Sequence, residues 1–232
     1  MTRARFQLEP GYLLNARPYQ DSSLLIEAFT RTQGRVALIA RGARGTKSKT
    51  RALLQPLRPL LLSWAQSGEM GTLTGVEATA PPPALIGERI FYGWYLNELL
   101  FKLTQRHEGH VDLFDRYALT LSQIAGEHAE AALRYFEKHL LAELGYGLHL
   151  PDELIADQFY RCENGLEPVL APESPTAFVG ASLIALANEN LQTPQSLKDA
   201  QRLLRAAIRQ QLGGKILETP AMLRELRAKM SR

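Results

Sequence analysis

The sequence predicts an α+β protein in which short strands come first and helices follow. Three observations carry this. Five short runs of strand-like residues fall within about 70 positions, Pro81, Pro82 and Pro83 then stand in a row, and beyond them the apolar period changes to that of helices. Proline lacks the N–H that a strand ladder needs, so the triplet ends the strand region and marks a boundary between residues 1–80 and 84–232.

Taken in order, Tyr12 to Tyr19 forms the first run, and Gln20, Asp21 and Ser22 turn it. Leu24 to Thr30 is apolar and β-rich, Gln33 and Gly34 break it, and Arg35 to Ala40 alternates. Leu57 to Trp64 and Met70 to Ala78 follow, joined by a Ser67-Gly68 turn. Five such strands suggest a small closed barrel. The OB-fold is the usual five-stranded solution and an SH3-like barrel its competitor.

Past the prolines, helices are expected over Ala84 to Gln105, Val111 to Ala125 and Ala129 to Leu144, the last stopped by Gly145-Tyr146-Gly147. Residues 150–180, rich in Pro, Gly and Glu, read as an irregular excursion with a hairpin around Glu163-Asn164-Gly165. Helices resume at Ala181. Thr193-Pro194 and Thr219-Pro220 each offer an N-cap followed by proline at the first helical position, with Gly213-Gly214 closing the helix between.

The 232 residues are 45% hydrophobic, enough for a real core and too many for a disordered chain. The net charge is only +3, but it is unevenly spread: from Ala28 to Gly68 there is no acid, while Arg31, Arg35, Arg41, Arg44, Lys47, Lys49, Arg51 and Arg58 all lie there. A local positive field suits a polyanionic partner. The single cysteine, Cys162, cannot form an internal disulfide or hold a structural zinc alone, which fits a reducing compartment. The first residues lack the apolar run of a signal peptide. The most apolar stretch, Leu85 to Leu103, is interrupted by Glu88, Arg89, Asn97 and Glu98, so no membrane span and a cytoplasmic location are expected.

The segment RVALIARGARGTKSKTR, residues 35 to 51, starts as a strand and becomes a glycine-rich cationic loop. It is not a P-loop, because two residues rather than four separate Gly42 from Gly45 and Thr46 displaces Lys47 from the second glycine. Long cationic side chains on such a loop, Arg41, Arg44, Lys47, Lys49 and Arg51, follow a sugar-phosphate backbone without reading bases, and an ordinary solvated loop is the alternative. A second stripe, Lys198, Arg202, Arg205 and Arg209, lies on one helical face, as the wet side of an amphipathic helix or as a second DNA patch. Tyr19 and Trp64 would either stack on bases or pack in the barrel. The histidines give no HExxH pair, Cys162 has no identifiable partner, and no catalytic constellation asks for an enzyme.

Several segments in order, ARPYQDSSLLIEAFTRTQGRVALIARGARGTKSK, LLQPLRPLLLSW, YGWYLNELLFKL, LFDRYALTLSQIA, LRYFEKHLLAELGYG and LGGKILETPAMLREL, together resemble the bacterial recombination mediator family RecO. The resemblance implies an N-terminal OB-fold and a helical C-terminal domain. It also implies binding of single- and double-stranded DNA, annealing of complementary strands coated with single-strand-binding protein (SSB), and cooperation with RecR to load RecA, without ATP or another cofactor. Arg35, Arg41, Arg44, Lys47 and Lys49 match the family's basic strand-to-loop motif. Many members carry a four-cysteine zinc motif after the GYG turn. Here only Cys162 remains, so no zinc is expected and packing is left to hold the hairpin. For the acidic, apolar-ended SSB tail, the expected pocket is Arg134 with Leu133, Phe136, Leu140 and Leu141. An interaction adaptor with incidental DNA contact is the competing function.

Overall fold

A computed structural model describes residues 4–163 and 167–230. The first strands are β1 (Ala4–Tyr19), β2 (Ser23–Thr30) and β3 (Gly34–Ala40), followed by a short helix α1 (Lys49–Leu53), β4 (Pro59–Gln66) and β5 (Met70–Ala78). They close into a barrel of order β1-β2-β3-β5-β4, in which β3 and β5 pair in parallel over Ala37–Ile39 and Met70–Thr72. Closure in this order, with a helix between β3 and β4, is the OB arrangement and removes every free edge. Alternation explains the filling: Ile26, Ala28, Val36, Leu38, Leu60, Leu62 and Trp64 point inward and form one core cluster.

β1 begins eight residues earlier than the alternation at Tyr12 suggests. Its first half hides from a period-two reading because Leu8 has φ 50° and the pairing with β4 bulges between Phe6 and Glu9. The helix α1 is also additional. Ser48, in extended conformation, accepts a hydrogen bond from the Arg51 amide and starts it.

Two compact units are present, one comprising Met1–Ala125 with Leu217–Arg232 and the other Gly126–Ile216. In the first, the barrel is joined by α2 (Arg89–Leu103), α3 (Val111–Gln123) and α7 (Thr219–Met230). The outer face of β1 and β2 is apolar, and α3 covers it. Tyr12 and Phe29 meet Phe114 at 5.5 and 5.7 Å and Tyr117 at 5.0 and 6.3 Å between ring centroids. Each such aromatic, once buried, contributes about 1.5–3 kcal/mol. Buried Asn97 of α2 donates to the Leu13 carbonyl and accepts from the Tyr117 hydroxyl, so the seam has no orphaned amide.

The β2–β3 turn is locked to the segment before α3. Gly34 has φ +61°, and a Cβ there would lie 1.7 Å from the Glu108 carbonyl oxygen, so only glycine fits. The α7 start differs from a simple threonine cap: the Glu98 carboxylate of α2 accepts from the amides of Glu218 and Thr219 at 2.7 and 2.9 Å. These amides belong to a helix N-terminus, where a carboxylate is favoured.

In the second unit, α4 (Ala129–Glu143), α5 (Gly180–Ala187) and α6 (Pro194–Gln211) pack together, with α6 started by a reciprocal Thr193–Ser196 capping box and Pro194 in its first turn. The excursion contains a three-stranded sheet of β6 (Phe159–Glu163), β7 (Glu167–Leu170) and β8 (Phe178–Val179). β6 and β7 pair antiparallel as the expected hairpin, and the Asn164-Gly165 turn itself lies outside the described residues. Among the described residues no helix is long and apolar enough to cross a membrane.

Candidate nucleic-acid interface

The cationic segment divides in two. Arg35 sits on β3 with its side chain only 14% exposed, donating to Glu27 Oε2 and to the Thr104 carbonyl at 2.9 Å each and lying 5.3 Å from the Phe101 ring centroid. Arg106 pairs with the same Glu27 carboxylate. Two guanidinium groups on one buried carboxylate, with a carbonyl to take further N–H, make a structural knot. Expected as a DNA ligand, Arg35 is instead spent inside the fold, because the register of β2 and β3 brings Glu27 beside it.

Beyond Ala40 the situation reverses. Ala43 is fully buried as a plug in the barrel core, and it pins the loop while its neighbours turn outward. The Arg44 amide bonds to the Ser22 carbonyl at 2.9 Å, and its guanidinium donates to the carbonyls of Gln20 and Asp21 at 2.7 and 3.0 Å. Arg51 reaches back to the Arg44 carbonyl at 2.9 Å. The loop is thus fastened to the β1–β2 turn by the guanidinium groups themselves, using only part of their five donors. Arg41, Arg44, Lys47, Lys49 and Arg51 are all exposed, and none forms an ion pair among the described residues. A cluster of cations without facing carboxylates, on a backbone held in place, presents a field to phosphates at little ordering cost.

Arg17 belongs with this group and escaped the sequence reading because it lies outside the acid-free stretch. It is exposed on β1 opposite Leu25, which pairs with Ile39, so Arg17, Ile39 and the position of Arg41 share one sheet face by period two. Trp64 is 1% exposed and stacked on Phe6 at 4.5 Å, which makes it a core residue and not a platform for bases. Tyr19 is half-buried at the end of β1.

On α6, Lys198, Arg205 and Arg209 are exposed while Arg202 turns inward. Its guanidinium donates to the carbonyls of Pro175, at 2.7 Å, and Ala177, pairs with Asp199 at 3.1 Å and lies 4.0 Å from the Phe178 ring centroid. The excursion is therefore held by a cationic clamp as well as by packing. A four-thiolate zinc site does not fit here. Burial pushes the Cys162 thiol up to about 11, with nearby Arg202 opposing, and the described residues contain no group of three or more potential ligands.

The pocket expected on α4 is closed in this structure. Leu133, Phe136, Leu140 and Leu141 are at most 4% exposed, and Arg134, 8% exposed, pairs with Glu137 at 2.8 Å. A helix with this face packed on α6 offers its neighbours core contacts, not an open receptor. The acid three residues after Arg134 was the available signal that the cation is used internally.

Comparison with known proteins follows the same division of the chain. The family model described as "Recombination protein O N terminal" matches residues 5–82, the barrel, and "Recombination protein O C terminal" matches residues 87–158. Proteins named DNA repair protein RecO align almost end to end. That of Nitrosococcus oceani is 42% identical over 96% of this chain and 95% of its own length, and that of Dechloromonas aromatica 41% identical over 97% and 98%. A Coxiella burnetii protein of the same name is 39% identical over 94% and 98%. With both halves matched in order and relatives at about two-fifths identity throughout, the chain belongs to the recombination protein O family.

Proposed function

We propose that this chain, a member of a DNA-repair and recombination family, is a mediator that binds DNA through the basic end of its barrel, anneals SSB-coated complementary strands and helps RecR load RecA. The observation that carries the reading is the set Arg41, Arg44, Lys47, Lys49 and Arg51: exposed, fastened to a rigid barrel, and without carboxylate partners among the described residues. Exposed Lys198, Arg205 and Arg209 on α6 supply a second cationic stretch for the same polyanion.

The mechanism is binding without covalent chemistry, in the bacterial cytoplasm. Two single strands repel one another, and a surface that neutralises phosphates on both lowers that repulsion while raising their local concentration. Base pairing supplies the free energy, so no ATP is consumed. Docking on the SSB tail delivers the protein to coated DNA and raises effective concentration without a new DNA contact.

The test is annealing of two complementary oligonucleotides coated with SSB, with no nucleotide present, comparing intact with tail-deleted SSB. Acceleration that depends on the tail is expected. No acceleration with either form would reject the mediator reading.

A further inference from the structure

One recess on the barrel lies apart from the basic loop and has no role in the mechanism above. It is a half-open depression of about 410 Å³ lined by Arg5, Gln7, Leu8, Ser63, Ala65 and Thr74 among others. It exists because two bulges coincide. The β1–β4 pairing slips between Phe6 and Glu9, and the β4–β5 pairing slips between Ser63 and Trp64, so both neighbours of β4 part from it at one level. Bulges recur beside binding sites because they re-aim side chains.

Leu8 is the residue they re-aim. It has φ 50°, which is unfavourable for leucine, and its amide is fixed by a 3.0 Å hydrogen bond to Ser63 Oγ. Yet the residue is 52% exposed, so the strain is not repaid by burial. Glycine or asparagine would suit the fold better at this position. A large apolar group held out to solvent at a conformational cost points to contact with a ligand. Beside it, Arg5 is exposed and forms no ion pair among the described residues. An exposed guanidinium beside an exposed apolar side chain favours an anionic partner that also carries an apolar face over a neutral one.

We propose that this recess is a second contact for single-stranded DNA, taking an unpaired base against Leu8 and its phosphate on Arg5. The inference rests on the strand-annealing reading, which requires two strands to be held. Leu8 and Arg17 lie toward opposite ends of β1, a span of up to about 30 Å along an extended strand.

The experiment uses the full chain and compares wild type with Leu8→Gly, Arg5→Gln and a basic-loop variant, Arg41→Gln with Lys47→Gln and Lys49→Gln. One labelled oligo-dT is bound first, and uptake of a second labelled oligo-dT is followed by energy transfer, with hydrogen exchange at Gln7 and Thr74 read in parallel. Leu8→Gly is expected to melt no lower than wild type, to bind the first strand within twofold, and to lose about tenfold in second-strand affinity. Arg5→Gln should share that loss, and the oligonucleotide should slow exchange at both amides in wild type. A lowered melting temperature for Leu8→Gly makes Leu8 a packing residue and overturns the proposal. So does unchanged second-strand uptake, or protection of these amides by an acidic leucine-containing peptide but not by oligo-dT. Failure of wild type to bind even the first strand rejects the mediator reading instead. First-strand loss confined to the loop variant, with both recess variants behaving as wild type, rejects the recess alone.

Discussion

The two ends of strand β3 carry arginines that look alike in sequence and behave oppositely in the fold. At the Gly34 end, Arg35 is sunk against Glu27 and Thr104, and neighbouring Arg31 forms a two-pronged pair with Asp115 of α3. At the Ala40 end, Arg41, Lys47 and Lys49 meet no carboxylate among the described residues, and Arg44 and Arg51 donate there to backbone carbonyls. A guanidinium paired with a buried carboxylate stabilises the fold and is lost to phosphate. One bonded to carbonyls keeps its full charge and still fixes the loop. Cationic density alone therefore does not mark a DNA surface; the decision rests on which acids the tertiary fold returns to each cation.

The largest expected effect lies at the buried end. Arg35→Ala leaves Glu27 with Arg106 alone in a nearly closed site, and breaking such a pair costs about 3–5 kcal/mol. Urea unfolding should show that loss, while DNA affinity per folded molecule stays as in wild type. If DNA binding fell with stability unchanged, the contrast between the two ends would be broken. Next comes the exposed end. Replacing Arg41, Lys47 and Lys49 together by glutamine should flatten the slope of log affinity against log salt by about 2 for single-stranded DNA, one contact each. Stability should move by less than about 0.5 kcal/mol, since nothing buried is touched. An unchanged slope moves the interface to Lys198, Arg205 and Arg209.

What the sequence made legible follows the same logic. Barrel strands and helix faces show through because periodicity is local, and the Thr193-Pro194 N-cap is readable for that reason, while its reciprocal bond with Ser196 emerges in the structure. The β1 start was hidden by the left-handed Leu8, and α1 by a Gly-Thr-Lys-Ser composition that reads as loop, although Ser48 was a cap signal. The fate of Arg35 depends on Thr104 and Arg106, about 70 residues away, and on a register that no local pattern prints. The break at Pro81 to Pro83 is where strand turns to helix. Compactness is drawn further on, because Tyr12 and Phe29 need Phe114 and Tyr117 for cover.

Smaller effects sharpen the comparison. In the second unit Arg202 is another internally spent cation, and Arg202→Gln should speed hydrogen exchange through residues 171–180 by releasing the carbonyls of Pro175 and Ala177. The DNA salt slope should hardly change, in contrast with Arg205→Gln. Unaltered exchange would mean that packing alone holds the excursion.

The smallest effect is also the most direct test of the opening contrast, because it would turn a spent cation into a free one. The Arg31 side chain is 41% exposed, and its hydrogen bond holds the Asp115 carboxyl below the ordinary aspartate range. A depressed carboxylate contributes stability that is present above the ordinary value near 3.9 and is lost as pH falls through the folded value, and for so exposed a pair salt screening makes the contribution slight. Titration of the Asp115 carboxyl by NMR should show it moving back up in Arg31→Gln. Asp115→Asn leaves Arg31 on the surface without its acid. If the acid is what withholds Arg31 from phosphate, the variant should steepen the single-strand salt slope by about 0.7, one added contact. No steepening would mean that position on the barrel, and not pairing, decides which arginines meet DNA.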